Sequence, residues 1–320
     1  MSKHSSWKSK LLSSSVPLEY EVARTLVQRG FAVDSDYAYC RDDAGTAKDF
    51  SIDLKATRYL DGEEGDIAGQ LDLLVECKQR HDQVTWLFFQ DPNTPDFSPF
   101  TRGHTLRGVD SFSDRVVLHS DCTIRIDEYV LPCFKGVEID LSAGHVHDAE
   151  IRHGLAQLQY SLPRYMVDGI RLFDTPFFFC PILITTAPIL VARPDTTIET
   201  VRSAEELQDF SEQVPSVVLH IDPSPGFDRH RVDICSPLLK GETVADMRQL
   251  EQDRKALGAR AYRSPLRICK RLARPGQPLH EYFSQFVVCS YDGLPELLTR
   301  LVNVTEEATK AAMTSPPASA

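Results

Sequence analysis

The sequence predicts an α/β protein, with a mixed β-sheet core flanked by helices, an insertion and a C-terminal extension. Three observations predict it. A helical stripe of Leu18, Val22, Thr25 and Leu26 precedes a run of strand-like segments. Two of these segments, Lys48–Ala56 and Leu71–Lys78, are linked by the acidic, glycine-bearing stretch Asp61–Asp66, which suits a hairpin loop. A second helical stripe, Ile151, Leu155, Leu158 and Leu162, leads into the strongly apolar Phe177–Ala192.

The chain has 320 residues, room for two domains or for one with large additions. Its 42% hydrophobic and 25% charged residues are an ordinary globular composition. No apolar run approaches membrane-spanning length. The basic start Met1–Lys10 is followed only by Leu11 and Leu12 before more serines, too short for a secretory signal. Eight cysteines are scattered without metal-knuckle spacing, and Cys180 and Cys289 lie in apolar runs as small core residues. A cytoplasmic protein without a membrane partner is expected. The net charge of −11 and pI near 5.4 weigh against a general nucleic-acid coat protein. A local basic groove remains compatible with them.

In chain order, residues 1–16 read as a flexible leader. Val16–Gly30 reads as the first helix, with Pro17 in its first turn and Gly30 as its C-terminal cap. Phe31–Val33 opens the first strand, running toward Tyr39. Within Lys48–Ala56, alternation puts Asp53 and Lys55 on one face and Ile52, Leu54 and Ala56 on the other. Within Leu71–Lys78, Leu71, Leu73, Val75 and Cys77 face one way, and Asp72, Leu74, Glu76 and Lys78 the other. Glu76 and Lys78 then sit about 7 Å apart along their face, and Asp72 about 13 Å from Glu76. Antiparallel pairing brings Asp53 near Glu76. Two carboxylates and a lysine at strand ends form a group able to hold a hard cation and steer a water.

Taken together, Tyr20-Glu21 with its helix, Ile52-Asp53-Leu54 and Leu74-Val75-Glu76-Cys77-Lys78 resemble the restriction-endonuclease-like, or PD-(D/E)XK, nuclease superfamily. The look is closest to its Mrr-like and archaeal Holliday-junction-resolvase-like members. The resemblance covers roughly the first ninety residues and resumes from about Asp148 to Ala192. No proline precedes Asp53, as in many members. The resemblance implies a restriction-endonuclease-like sheet and Mg2+ or Mn2+ held by Asp53, Glu76 and the main-chain carbonyl of Cys77. It implies that Lys78 orients water and stabilises charge. It makes Glu21 a helper carboxylate, a role for which Glu19 competes. Some members carry a helical glutamine with a tyrosine four residues on; here Gln157 precedes Tyr160 by three. The implied function is phosphodiester hydrolysis by a DNA endonuclease. The alternative is a catalytically inactive nuclease-fold module for DNA binding or protein assembly.

Beyond the motif, Gln79, Arg80 and His81 continue the polar strand end, and Gln79 and Arg80 are candidates to touch phosphate. Trp86–Phe89 reads as packing rather than base stacking. Residues 90–147 read as an insertion in the catalytic domain, suited to a small flap. His145, His147 and His153 lack a fourfold zinc-ligand spacing and read as loop and helix-start histidines. Asp148–Met166 reads as a helix broken or ended near Pro163. Pro181–Thr186 reads as a buried strand, with Ala187–Ala192 as its partner. The nuclease-like domain is expected over 17–192, an α/β extension over 193–303 and a disordered tail over 304–320. In the extension Val217–His220 and Arg231–Ile234 read as strands and Thr243–Leu257 as a helix. The strongest basic cluster follows, and within it Arg263, Arg267, Lys270 and Arg271 are candidates to neutralise phosphates. No Walker loop or Gly-x-Gly-x-x-Gly appears, so a motor would be a separate partner. DNA is the expected ligand, with a homodimer or a separate motor or specificity subunit as the possible assemblies.

Overall fold

The segment Phe177–Thr185 has no polar phase, and all nine of its residues are buried. A strand of this kind needs cover on both faces, which places it inside a layered structure. The computed structural model describes residues 4–43, 45–62, 67–93, 98, 106–109, 123–124, 130–172, 177–241, 244–246, 248–249, 252, 270–274 and 281–314.

The described elements begin with helices α1 (His4–Leu12) and α2 (Val16–Gln28). Strands β1 (Ala32–Asp43), β2 (Thr46–Asp61), β3 (Ile67–Lys78), β4 (Val84–Gln90), β5 (Leu106–Val109), β6 (Thr123–Ile124), β7 (Leu131–Asp140) and β8 (His145–His147) follow. Helix α3 (Ala149–Leu172) precedes β9 (Phe177–Thr185) and β10 (Ile189–Ala192). Then come α4 (Ile198–Ser203), β11 (Ser211–Gln213), β12 (Ser216–His220), α5 (Pro225–Cys235), β13 (Gln285–Ser290) and α6 (Leu294–Thr314).

The strands form one mixed sheet, ordered β1-β2-β3-β9-β13-β12-β7-β4-β10-β11 along its main path. The strands β3, β9 and β13 are parallel neighbours at its heart. Helices α3 and α5 cover one face, where Leu155, Leu158, Leu162 and Phe227 pack on Leu74, Phe179 and Leu183. Helices α2 and α6 cover the other, where Leu18, Val22, Leu26, Leu297 and Leu301 pack on Leu73, Val75 and Ile182. The architecture is therefore a mixed α/β fold with helices on both faces of the sheet. Among the described residues no helix is long and apolar enough to cross a membrane.

Several expectations about segments change. Residues 4–12 are helical, and the Gln79 side chain donates to the Leu12 carbonyl at 2.6 Å, so this part of the leader is tied to the end of β3. The insertion is no mere flap, because β7 pairs with β4 and β12 inside the sheet. Likewise β13, from the expected extension, lies between β9 and β12 near the sheet centre. Residues Arg231–Ile234 are helical, within α5, whose Ser224 caps the first turn through its side chain. Helix α6 carries the chain to Thr314, and Thr305 and Thr309 are buried, so the start of the expected tail is packed structure. The helix Thr243–Leu257 lies largely outside the described residues.

Helix α3 continues past Pro163. A proline inside a helix costs about 3 kcal/mol through its missing hydrogen bond and ring clash. Burial of Ile151, Leu155, Leu158, Leu162, Tyr165 and Met166 along one face outweighs that cost. Strand β10 does not pair with β9; it runs parallel to β4 and antiparallel to β11. The turn at Thr186–Pro188 thus carries the chain across the sheet instead of folding it back on itself.

Candidate active site

The carboxyl ends of the parallel pair β3 and β9 meet at Lys78 and Thr185. Such ends are the usual place for ligands in open α/β sheets. Strand β3 alternates as its sequence requires. Leu71, Leu73, Val75 and Cys77 join the core on the α2 and α6 side, and Leu74 joins the core on the α3 side. Asp72, Glu76 and Lys78 share the phase of Leu74. The antiparallel register with β2 runs to Leu54 opposite Val75, so Asp53 and Glu76 are the next residues on the two strands.

Strand β2 does not keep strict alternation here. Ile52 lies in the core beneath α3, whereas Leu54 and Ala56 lie in the opposite core. Its hairpin partner changes sides at the same step, with Val33 against one core and Tyr37 against the other. Between the pairs Ser35–Leu54 and Tyr37–Ile52 stands Asp36, at φ 55, the one non-glycine residue of positive φ among those described. That left-handed residue, an aspartate able to tolerate it, accompanies the change of face. Asp53 sits at the crossover. Its Oδ2 accepts the Cys77 backbone N–H at 2.6 Å, which holds the carboxylate against the end of β3.

Glu76 is 1% exposed. Its Oε1 accepts from Lys78 Nζ at 2.8 Å, and its Oε2 has no hydrogen-bond partner among the described residues. Burial pushes the Glu76 carboxyl up to about 7, and the Asp53 carboxylate adds to this against the pull of the Lys78 ammonium. Burial also raises Asp53, opposed by the Cys77 N–H and by Lys78. Glu19 is raised by burial and then by the nearby charges of Asp53 and Asp36. Asp53, Glu76 and Glu19 are therefore crowded carboxylates, each shifted toward its protonated form in the absence of a cation.

Helix α3 packs across the same strand end. Gln157 accepts from Lys78 Nζ at 3.3 Å and donates to the Ser51 carbonyl at 3.3 Å. It thus joins the lysine to β2. Gly154 faces the same side chains: a Cβ there would lie 3.2 Å from Lys78 Cε, 3.5 Å from Glu76 Cγ and 2.6 Å from Leu183 Cδ1. The missing Cβ lets α3 come this close without displacing Leu183 or Lys78. A glycine inside an apolar helical stripe was the sequence signal for that approach. Gln157 is the glutamine of the imperfect Gln157–Tyr160 spacing.

The remaining expected site residues fare differently. Glu21 is exposed, and its neighbour Glu19, half-buried, is the one within reach of Asp53 and Lys78. Gln79 is bound to α1, as described. Arg80 pairs with Glu138 at 2.8 Å and Glu150 at 2.6 Å, so its charge is matched within the fold instead of being open to phosphate. Cys77 is buried toward α2 and α6, leaving only its main chain for a ligand role. Lys270 and Arg271 are exposed on a short helical stretch, while Arg263 and Arg267 lie outside the described residues. Trp86 is buried, with its Nε1 donating to Glu138 at 2.9 Å, as a packing role requires. His145 and His147 are exposed on β8.

Among the described residues no group of three or more His, Cys, Asp and Glu side chains could hold a metal ion. A pair of carboxylates is a different case. Magnesium is usually held by one or two carboxylates and keeps several waters. Asp53 and Glu76, with the partnerless Oε2 between strand end and helix, fit that kind of site. A scan against protein-family models gives no match for this chain, and neither curated proteins nor solved structures match it.

Proposed function

We propose that the chain is a metal-dependent nuclease that hydrolyses phosphodiester bonds, acting as a DNA endonuclease on a restriction-endonuclease-like core. The observation that carries this reading is the buried, half-satisfied Glu76 between Asp53 and Lys78 at the end of a parallel strand pair. A buried carboxylate with a partnerless oxygen costs stability, and sites of chemistry are where such costs are retained.

In this reading Asp53 and Glu76 hold Mg2+ or Mn2+, with the Cys77 carbonyl as a further oxygen. The chemistry such an ion supplies when bound is positive charge for the developing phosphorane and easier deprotonation of water. Glu76 must lose its proton to serve as a ligand, so the site loads better above neutral pH. Lys78 is held by Glu76 Oε1 and Gln157 Oε1, and its remaining donor would serve a phosphate oxygen or an attacking water. Gln157 positions Lys78 and ties it to β2. Glu19, in place of Glu21, supplies the third carboxylate at the rim.

The test is cleavage of labelled single-stranded DNA, duplex DNA and RNA by the purified full chain. Cleavage of DNA is expected with Mg2+ or Mn2+ and is expected to cease on chelation. Failure to cut any of them, with and without manganese, would instead favour the inactive binding or assembly module.

A further inference from the structure

Most inward-lying arginines of the described structure are matched by an oxygen. Arg58 pairs with Glu306, Arg80 with Glu138 and Glu150, and Arg231 with Asp228. Arg107 is bonded to the Gln285 carbonyl. Arg41 differs. It is half-buried on β1 and has no carboxylate partner among the described residues. Its guanidinium carbon lies 4.1 Å from the centre of the Phe50 ring and 4.7 Å from that of Tyr160. The two rings, one from β2 and one from α3, both lie against the guanidinium. Stacking of this kind uses the faces and leaves the N–H edge for an oxygen anion.

The surroundings of Arg41 adjoin the site already described. Tyr39 is 3% exposed, and its hydroxyl has no hydrogen-bond partner among the described residues. That hydroxyl lies within electrostatic reach of Arg41, Glu76 and Tyr160. His153, on the first turns of α3, lies within reach of both Lys78 and Arg41. Charges of both signs thus gather here: Glu19, Asp36 and Asp53 lie within electrostatic reach of one another, and Lys78 within reach of Glu19, Asp53 and His153.

We propose that Arg41, assisted by the Tyr39 hydroxyl, is a phosphate-binding subsite for a nucleic-acid backbone, next to the bond that Glu76 and Lys78 act on. The kind of polyanion rests on the nuclease reading above; the anion site itself rests on Arg41 and Tyr39. Phosphate contacts of this sort position a strand without reading its sequence. The planar, always charged guanidinium suits that task, and its pre-stacked geometry means little ordering on binding.

The test uses the full chain, a fluorescent duplex oligonucleotide and a matched single strand, in metal-free buffer. Binding is followed by anisotropy across a range of KCl. Arg41→Met keeps an unbranched stem to pack between Phe50 and Tyr160. It is expected to weaken binding by about 5- to 10-fold and to lower the slope of log affinity against log salt by about one, with the melting temperature unchanged. In the cleavage assay KM is expected to rise with kcat retained, a split that lost packing alone does not produce. A folded Arg41→Met with wild-type affinity and slope overturns the subsite, as does a wild-type chain that binds neither strand. If Arg41→Met fails to fold, arginine labelling of the wild-type chain with phenylglyoxal decides: protection of Arg41 by saturating duplex is expected, and equal labelling overturns the proposal. An Arg41-dependent salt slope in a chain that cuts nothing would keep the subsite and remove the nuclease reading. Metal-dependent cleavage with an unaltered Arg41→Met would do the reverse.

Discussion

Asp72 and Glu76 stand on the same strand, four residues apart and in the same phase, and both carboxylates are withdrawn from water. Asp72 accepts from Thr57 at 2.5 Å, from Gln70 at 2.9 Å and from Tyr165 at 2.6 Å, so both of its oxygens are used. Glu76 has Lys78 on one oxygen and, among the described residues, nothing on the other. The strand thus carries a completed polar network in its middle and an incomplete one at its end. Burial alone does not tell the two acids apart; the count of satisfied oxygens does. The middle of the sheet is closed by Tyr165 from α3, which fills the space over Asp72. Near the strand end α3 offers Gly154 instead, which packs closely on Leu183, Lys78 and Glu76 but brings no donor to Glu76.

The comparison breaks most sharply in activity. Glu76→Ala is expected to abolish metal-dependent cleavage, and Lys78→Ala to lower it by about 100-fold or more while leaving metal binding in place. Titration calorimetry with Mn2+ beside the cleavage assay separates the two effects. Equal cleavage by wild type and both variants would remove this site from the chemistry.

The second effect falls on stability. Spacing puts Asp72 about 13 Å from Glu76, too far to share its ion, so Asp72→Ala is not expected to remove a metal ligand. Its cost falls on the fold, because the substitution leaves the hydroxyl of Tyr165 and the donors of Thr57 and Gln70 without that acceptor. We expect a loss of about 3 kcal/mol in urea unfolding. A variant as stable as wild type would show that the network is not a fold element.

The third effect has the opposite sign. Glu76 has an ordinary value of 4.5 and is pushed up to about 7 in the fold. Its protonated form is therefore favoured by folding. That stability is fully present below pH 4.5 and is lost as pH rises through about 7. In metal-free buffer Glu76→Gln is expected to stabilise the protein by about 2 kcal/mol at pH 8, with the gain vanishing near pH 4. Thermal melts of both proteins at the two pH values measure it. A variant less stable than wild type at pH 8 would mean that the Lys78 pair outweighs burial.

The smallest effect tests the close approach of α3. In Gly154→Ala the new methyl would meet Leu183 Cδ1 at 2.6 Å and Lys78 Cε at 3.2 Å. Overpacking costs about 1–3 kcal/mol and alanine returns about 1 kcal/mol of helix propensity, so stability should change by about 1 kcal/mol. Displacement of Lys78 should cost roughly tenfold in cleavage rate. An unchanged rate would mean that Lys78 adjusts freely.

The sequence by itself determined the two faces of β3. A strand has a period of two, and apolar Leu71, Leu73, Val75 and Cys77 could satisfy only one phase of it, which put Asp72, Glu76 and Lys78 together on the other. It also determined the layered α/β class, since an unbroken apolar β9 has to be covered twice. Tertiary structure decided what lies across space. Glu19 and Glu21 both flank the buried stripe of α2, and only the docking of that helix beside β2 turns Glu19 inward. The change of face at Asp53 depends on Asp36 in the neighbouring strand, at a backbone angle that no local pattern announces. The places of β7 and β13 in the sheet rest on pairings between distant segments, which no local pattern announces. Local periodicity fixes which residues share a face, because it is a property of the backbone. Which faces meet depends on packing between segments far apart in the chain, and that is where Gln157, Gly154 and Glu19 came to stand around Lys78.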